Sequence, residues 1–102
     1  TEQSSHKSDE HDWRAIGDSL TSKYQGQVLS ILQINSKNCR INISPALSEL
    51  EAVEIAENIG RYIKNITAGT TTATPKVQVF INGKLAAVAM PDGEDYIGEV
   101  SR

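Results

Sequence analysis

SELEAVEIAENIGRYIKNITAG, residues 48–69, is the stretch on which the fold turns. Ser48 and Glu51 have the S-x-x-E spacing of a capping box, in which each side chain satisfies the other residue's free backbone N–H. Ala52, Ile55, Ala56, Ile59, Ile63 and Ile66 follow at intervals that place them on one side of a helix. Glu49, Glu51, Glu54 and Glu57 crowd the N-terminal half, while Arg61 and Lys64 sit in the C-terminal half. That polarity complements the helix dipole. Gly69 ends the pattern, so the stretch predicts a helix of about twenty residues. Its isoleucine stripe needs a surface to cover, because each buried isoleucine contributes about 2 kcal/mol before entropy is counted.

The flanking sequence supplies that surface as strands. In residues 27–44, Val28, Leu29, Ile31, Leu32 and Ile34 form a dense aliphatic run. Residues 35–38, Asn-Ser-Lys-Asn, are turn material. Cys39, Ile41 and Ile43 then alternate with Arg40, Asn42 and Ser44, the period of a strand with one buried face. The pair reads as a hairpin. Its first strand, apolar on both faces, is expected to be central or covered on both sides; its second shows Arg40 and Asn42 to water. Beyond the long helix, Val77, Val79 and Ile81 alternate with Gln78 and Phe80 and run into Asn82-Gly83. That dipeptide is a strong hairpin signal, because both turn positions need positive φ. Residues 84–90 form the returning strand, and Pro91-Asp92-Gly93 reads as another turn. Tyr96, Ile97 and Val100 then either add a short strand or pack loosely.

Ahead of all this, Trp13, Ile16, Leu20 and Tyr24 mark one face of a helix over residues 13–24. Asp12 stands where an N-cap is needed, and Gly26 where the helix must stop. Gly17 weakens it by up to about 1 kcal/mol relative to alanine. The expected fold is therefore α+β, in the element order α-ββ-α-ββ. Both helices pack on one face of a small, mostly antiparallel sheet of three to five strands.

The chain has 102 residues, a length suited to one domain. Its net charge is −3. Residues 1–12 carry Glu2, Asp9, Glu10 and Asp12 against Lys7 and no apolar residue, which accounts for the whole of that charge. They read as a disordered acidic tail, because nothing in them offsets the entropy of ordering. Residues 13–102 read as a single domain and are electrically neutral. Neutrality argues against nucleic acid as a ligand and against an anionic membrane surface. No apolar run approaches the roughly 18 residues that span a bilayer. Cys39 is the one cysteine, so no intrachain disulfide is possible. A polar tail ahead of a folded domain suits a tether on an exported envelope protein, facing the periplasm or the outside; it also suits a linker in a cytoplasmic one.

Chemistry is sparse. Both histidines, His6 and His11, fall in the tail, where nothing holds metal ligands at fixed geometry. Cys39 lies on the buried face of a strand with no histidine in the folded part to act as its base, so it reads as a small core hydrophobe. Asp92, Glu94 and Asp95 do not match a D-x-D-x-D-G calcium loop. The glutamates of the long helix read as a solvated face. Phosphate-binding glycine loops are absent. The reading is of no enzyme, no cofactor and no metal, with a small carboxylate-dependent enzyme as the remote alternative.

Recognition of a protein partner is the remaining expectation, and two features carry it. One is the strand Lys84, Leu85, Ala86, Ala87, Val88, Ala89, Met90, whose small side chains would leave a sheet edge open to an incoming strand or to a second copy. Lys84, Leu85, Ala87 and Ala89 are its candidate contacts. The other is the aromatic pair Trp13 and Tyr24 on the first helix. Glu51-Ala52-Val53-Glu54-Ile55-Ala56 and the element order of residues 12–90 resemble in outline the BON domains of bacterial envelope proteins, although that family's glycine pattern is missing from residues 27–44. The resemblance rests on element order and implies an exported, tethered accessory protein that docks another envelope component. The alternative is a cytoplasmic regulatory domain of a larger protein.

Overall fold

The computed structural model describes residues 12–69 and 71–101. Residues 1–11 of the acidic tail, with its two histidines and its proposed tethering role, lie outside them. The elements are α1 (Trp13–Lys23), β1 (Val28–Ile34), β2 (Asn38–Ile43), α2 (Glu49–Thr67), β3 (Lys76–Ile81), β4 (Lys84–Asp92) and β5 (Asp95–Val100). This is the expected α+β architecture, with the C-terminal segment adding a fifth strand. The strands lie in one sheet in chain order, β1-β2-β3-β4-β5. Every neighbouring pair is antiparallel except β2 and β3, which run parallel and are joined through α2. A parallel pair needs a long crossover, and the helix provides it.

The local signals act as their chemistry predicts. Ser48 Oγ accepts from the Glu51 N–H at 3.2 Å, and Glu51 Oε1 accepts from the Ser48 N–H at 2.9 Å. Asp12 Oδ1 accepts from the Ala15 N–H and caps α1. Asn82 and Gly83 have φ of 52° and 80°, and close the β3–β4 hairpin. Gly93, the last residue of the Pro91-Asp92-Gly93 turn expected from the sequence, has φ 64° and turns β4 into β5, while β4 itself runs on through Pro91 and Asp92.

Both helices cover the same face. Ile16 and Leu20 of α1 are buried, and Gly17 stands against Ile31 and Ile34 of β1. Ala52, Ile55, Ala56, Ile59 and Ile63 of α2 are buried with Cys39, Ile41, Val77, Val79, Ala87, Ala89 and Tyr96 from the sheet. Ile66 falls off the stripe and is exposed; Thr67 closes it instead. Thr67 Oγ1 donates to the Ile63 carbonyl and accepts from the Ala73 N–H, both at 2.8 Å, which fixes the exit from α2.

Two expectations are corrected. β1 is not central: it is an edge strand, and Leu29 and Leu32 are 57% and 53% exposed. Register shifts between Val28 and Ser30 and between Ile31 and Gln33 place each leucine at a bulge, where two residues oppose one on β2. The extra apolar residues turn outward, which is why β1 carries more of them than one buried face requires. Nor is β4 an edge. It is paired on both sides, by β3 and by β5, because residues 95–100 form a full strand where the sequence left loose packing open.

Candidate functional site

The correction to β4 relocates its candidate residues. Ala87 and Ala89 are fully buried, facing the layer of α2, and have no accessible backbone edge. The helix comes close to the sheet: Gly60 of α2 lies so near the Tyr96 ring that a Cβ would overlap it. On β5, a Cβ on Gly98 would stand 2.9 Å from Glu57 Cγ and 3.0 Å from Val53 Cγ1. Trp13 and Tyr24 are half-buried and pack on the core, and Leu85 is half-buried. Lys84 is exposed beside the Asn82-Gly83 turn.

Small residues on the helix side leave the larger apolar ones of the same strands on the other side. Side chains alternate across a strand. With Ala87, Ala89 and Tyr96 inward, Val88, Met90 and Ile97 face outward. Met90 and Ile97 are paired across β4 and β5 and are 52% and 55% exposed. Val88, Met90, Pro91, Asp92, Ile97 and Glu99 line a shallow groove of about 690 Å³. A second groove, about 570 Å³, runs along the same face between Leu32, Arg40, Asn42 and Phe80. Phe80 and Leu85 form a cross-strand pair on β3 and β4. Polar residues on this face pair with one another: Arg40 Nε donates to Gln78 Oε1 at 3.0 Å, and Asn42 Nδ2 donates to Ser30 Oγ at 3.2 Å.

The helix side holds a different arrangement. Arg61 donates to the Asp95 carboxylate and lies 3.7 Å from Glu57. Glu57 Oε2 in turn accepts from the Gly98 N–H at 2.7 Å. This network clamps β5 to α2. The hydrogen bond from Arg61, followed by the Tyr96 N–H, holds the Asp95 carboxyl below the usual carboxylate range. Lys23 Nζ sits 5.9 Å from the centroid of Tyr24 and 5.6 Å from that of Tyr62, linking the end of α1 to α2. Burial raises the Tyr24 hydroxyl, with a smaller contribution from Tyr62. Burial also pushes the Cys39 thiol up to about 12, so it stays protonated and unreactive at neutral pH. Tyr96 donates its hydroxyl to the Pro75 carbonyl at 2.8 Å, deep in the core, and burial raises its pKa as well.

Among the described residues, no group of three or more His, Cys, Asp and Glu is placed to hold a metal ion. No described helix is long and apolar enough to cross a membrane. The outward face of β4 and β5 was missed in the sequence because alanine drew attention to the inward side. The signal was present: Val88 and Met90 are larger than Ala87 and Ala89, with which they alternate, and this reverses the usual strand pattern.

No protein-family model matches the chain. No solved structure matches it. Over 71 residues, 70% of this chain, it is 37% identical to a human protein described as uncharacterized bromodomain-containing protein 10. The chain spans 3% of that relative's length.

Proposed function

We propose that this chain is a non-enzymatic interaction domain that docks a protein partner on the open face of its sheet. One observation carries the reading: in β4 the bulkier apolar side chains, Val88 and Met90, point away from the core, with exposed Ile97 of β5 beside Met90, while Ala87 and Ala89 face it. A domain that packed only its own helices would place the large residues inward, where each buried side chain contributes about 2 kcal/mol. Here that contribution is left unrealised until another surface covers the face. The grooves support a protein rather than a small molecule, because they are shallow and hold few converging polar groups.

The test is cross-linking in extracts of cells that make the protein. It compares wild type with the Val88→Lys/Ile97→Lys double variant and with Leu50→Lys, a control at a 75% exposed position on α2. A protein captured by wild type and by Leu50→Lys, and lost from the double variant, is the expected result. Identical adducts from all three chains would overturn the reading.

A further inference from the structure

The charges on the open face have a pattern that its apolar residues do not reveal. Arg40, Gln78, Val88 and Glu99 stand side by side in one register row across β2, β3, β4 and β5. Arg40 and Glu99 are both exposed and carry opposite charges at the two ends of these four strands, with Gln33 of β1 continuing the row beyond Arg40. Three strand spacings separate them, about 14 Å. In the next row Phe80 of β3 lies beside Leu85 of β4.

From this pattern, and resting on the docking-face reading above, we infer that the partner is a second copy of this chain, packed sheet on sheet about a twofold axis. The axis runs parallel to the strands, between β3 and β4. Such an axis reverses the order of strands but keeps each row level, so β2 lies over β5 of the second copy and β3 over β4. Arg40 then faces Glu99 of the other copy, twice by symmetry, and Phe80 faces Leu85, also twice. A twofold axis perpendicular to the strands and centred on this row would instead place Arg40 over Arg40 and Glu99 over Glu99. Like charges opposed in this way are repulsive, so of these two arrangements the row favours the first.

Two further quantities fit. Packed sheets lie about 10 Å apart, a gap that an arginine and a glutamate reaching from opposite sides can close. Four overlapping strands of six residues give a footprint of about 19 by 20 Å, and the corrugated faces of two copies together bury on the order of 1,000 Å², the lower bound of a specific interface. Residues 13–102 carry nine acidic and nine basic side chains, so the domain itself brings no net charge to the contact.

Sedimentation of the full chain from about 1 µM to about 1 mM tests the inference, since contacts of this size fall in that range. The variants are Arg40→Glu, Glu99→Arg and the two together, all at exposed positions whose thermal unfolding serves as a folding check. A wild-type dimer is expected, each single reversal weakening it about tenfold or more and the double variant recovering most of the loss. A wild type that stays monomeric overturns the second copy. So does a dimer indifferent to either reversal, or a double variant no tighter than the singles. The docking reading fails separately: a monomeric wild type whose cross-linked partner is still lost on Val88→Lys/Ile97→Lys removes the second copy and leaves the docking face standing, and identical adducts remove both.

Discussion

Tyr96 and Ile97 are neighbours on β5, and they belong to two different surfaces. Tyr96 is 2% exposed, beneath α2, with its hydroxyl on the Pro75 carbonyl. Ile97 is 55% exposed, on the side that no described element covers. The same contrast runs along β4, where Ala87 and Ala89 are buried and Val88 and Met90 face outward. The two faces therefore differ in what limits them. On the helix side the limit is space: α2 approaches β5 so closely that a Cβ on Gly60 would overlap the Tyr96 ring and one on Gly98 would crowd Val53 and Glu57. On the open side space is unlimited, and what is missing is a cover. Residue size along β4 thus reports which face is full, not which face is apolar.

The strongest test of this contrast is substitution at the two neighbours. Tyr96→Ala is expected to cost about 4 kcal/mol, from the lost ring and from the Pro75 carbonyl left unpaired. Ile97→Ala is expected to cost less than about 1 kcal/mol. Urea unfolding midpoints read both, and equal losses would mean that the faces are energetically alike. Next in size is the pair of helix glycines. Gly60→Ala forces a methyl into the Tyr96 ring and is expected to cost about 2 kcal/mol, even though alanine favours a helix by about 1 kcal/mol. Gly17→Ala meets Ile31 at 3.5 Å, an ordinary contact, and is expected to stabilise by up to about 1 kcal/mol. A stabilised Gly60→Ala in thermal unfolding would show that the close approach of α2 is not limiting.

The smallest effect belongs to the clamp between α2 and β5. Asp95 has its carboxyl held below the usual range when folded, by Arg61 first and then by the Tyr96 N–H. A depressed folded value means that this contribution is present above the unfolded value, near pH 4, and is lost as pH falls through the folded one. Asp95 is fully exposed, so solvent screening keeps the contribution small. Wild type should lose stability between about pH 4 and about pH 2.5 by a margin that Asp95→Asn lacks. Urea midpoints at the two pH values measure it, and parallel losses in both chains would remove Asp95 from the acid response.

Much of the fold was legible because its signals are local. The capping box of Ser48 and Glu51, the N-cap of Asp12 and the positive-φ turn at Asn82 and Gly83 all act through residues within three positions of one another. The core side of β2 and β3 was equally readable from period-two alternation. What failed was strand neighbourhood. β1 looked buried because its bulges add Leu29 and Leu32 to the apolar count, and β4 looked like an edge because the partner that covers it, β5, has a weak pattern in which Gly98 and Glu99 interrupt the apolar residues. Gly98 is dictated by Val53 and Glu57 of α2, and no spacing within residues 95–100 encodes that contact.

The candidate site divides along the same line. Of Lys84, Leu85, Ala87 and Ala89, the two alanines lie under α2, whereas Leu85 pairs with Phe80 on the open face and Lys84 is exposed beside the turn. Trp13 and Tyr24 were recognisable as apolar-face residues of α1, and they pack against the core. The sequence by itself determined the two helices, the hairpins and the alternation that divides each strand into two faces, because these depend on backbone chemistry within a few residues. Only the tertiary structure decided which face is full and which is open. That choice depends on how close α2 comes to β4 and β5, and so on Gly60, Gly98, Ala87, Ala89 and Tyr96 meeting across up to 38 positions of chain. The row from Arg40 to Glu99 exists only once four strands are in register.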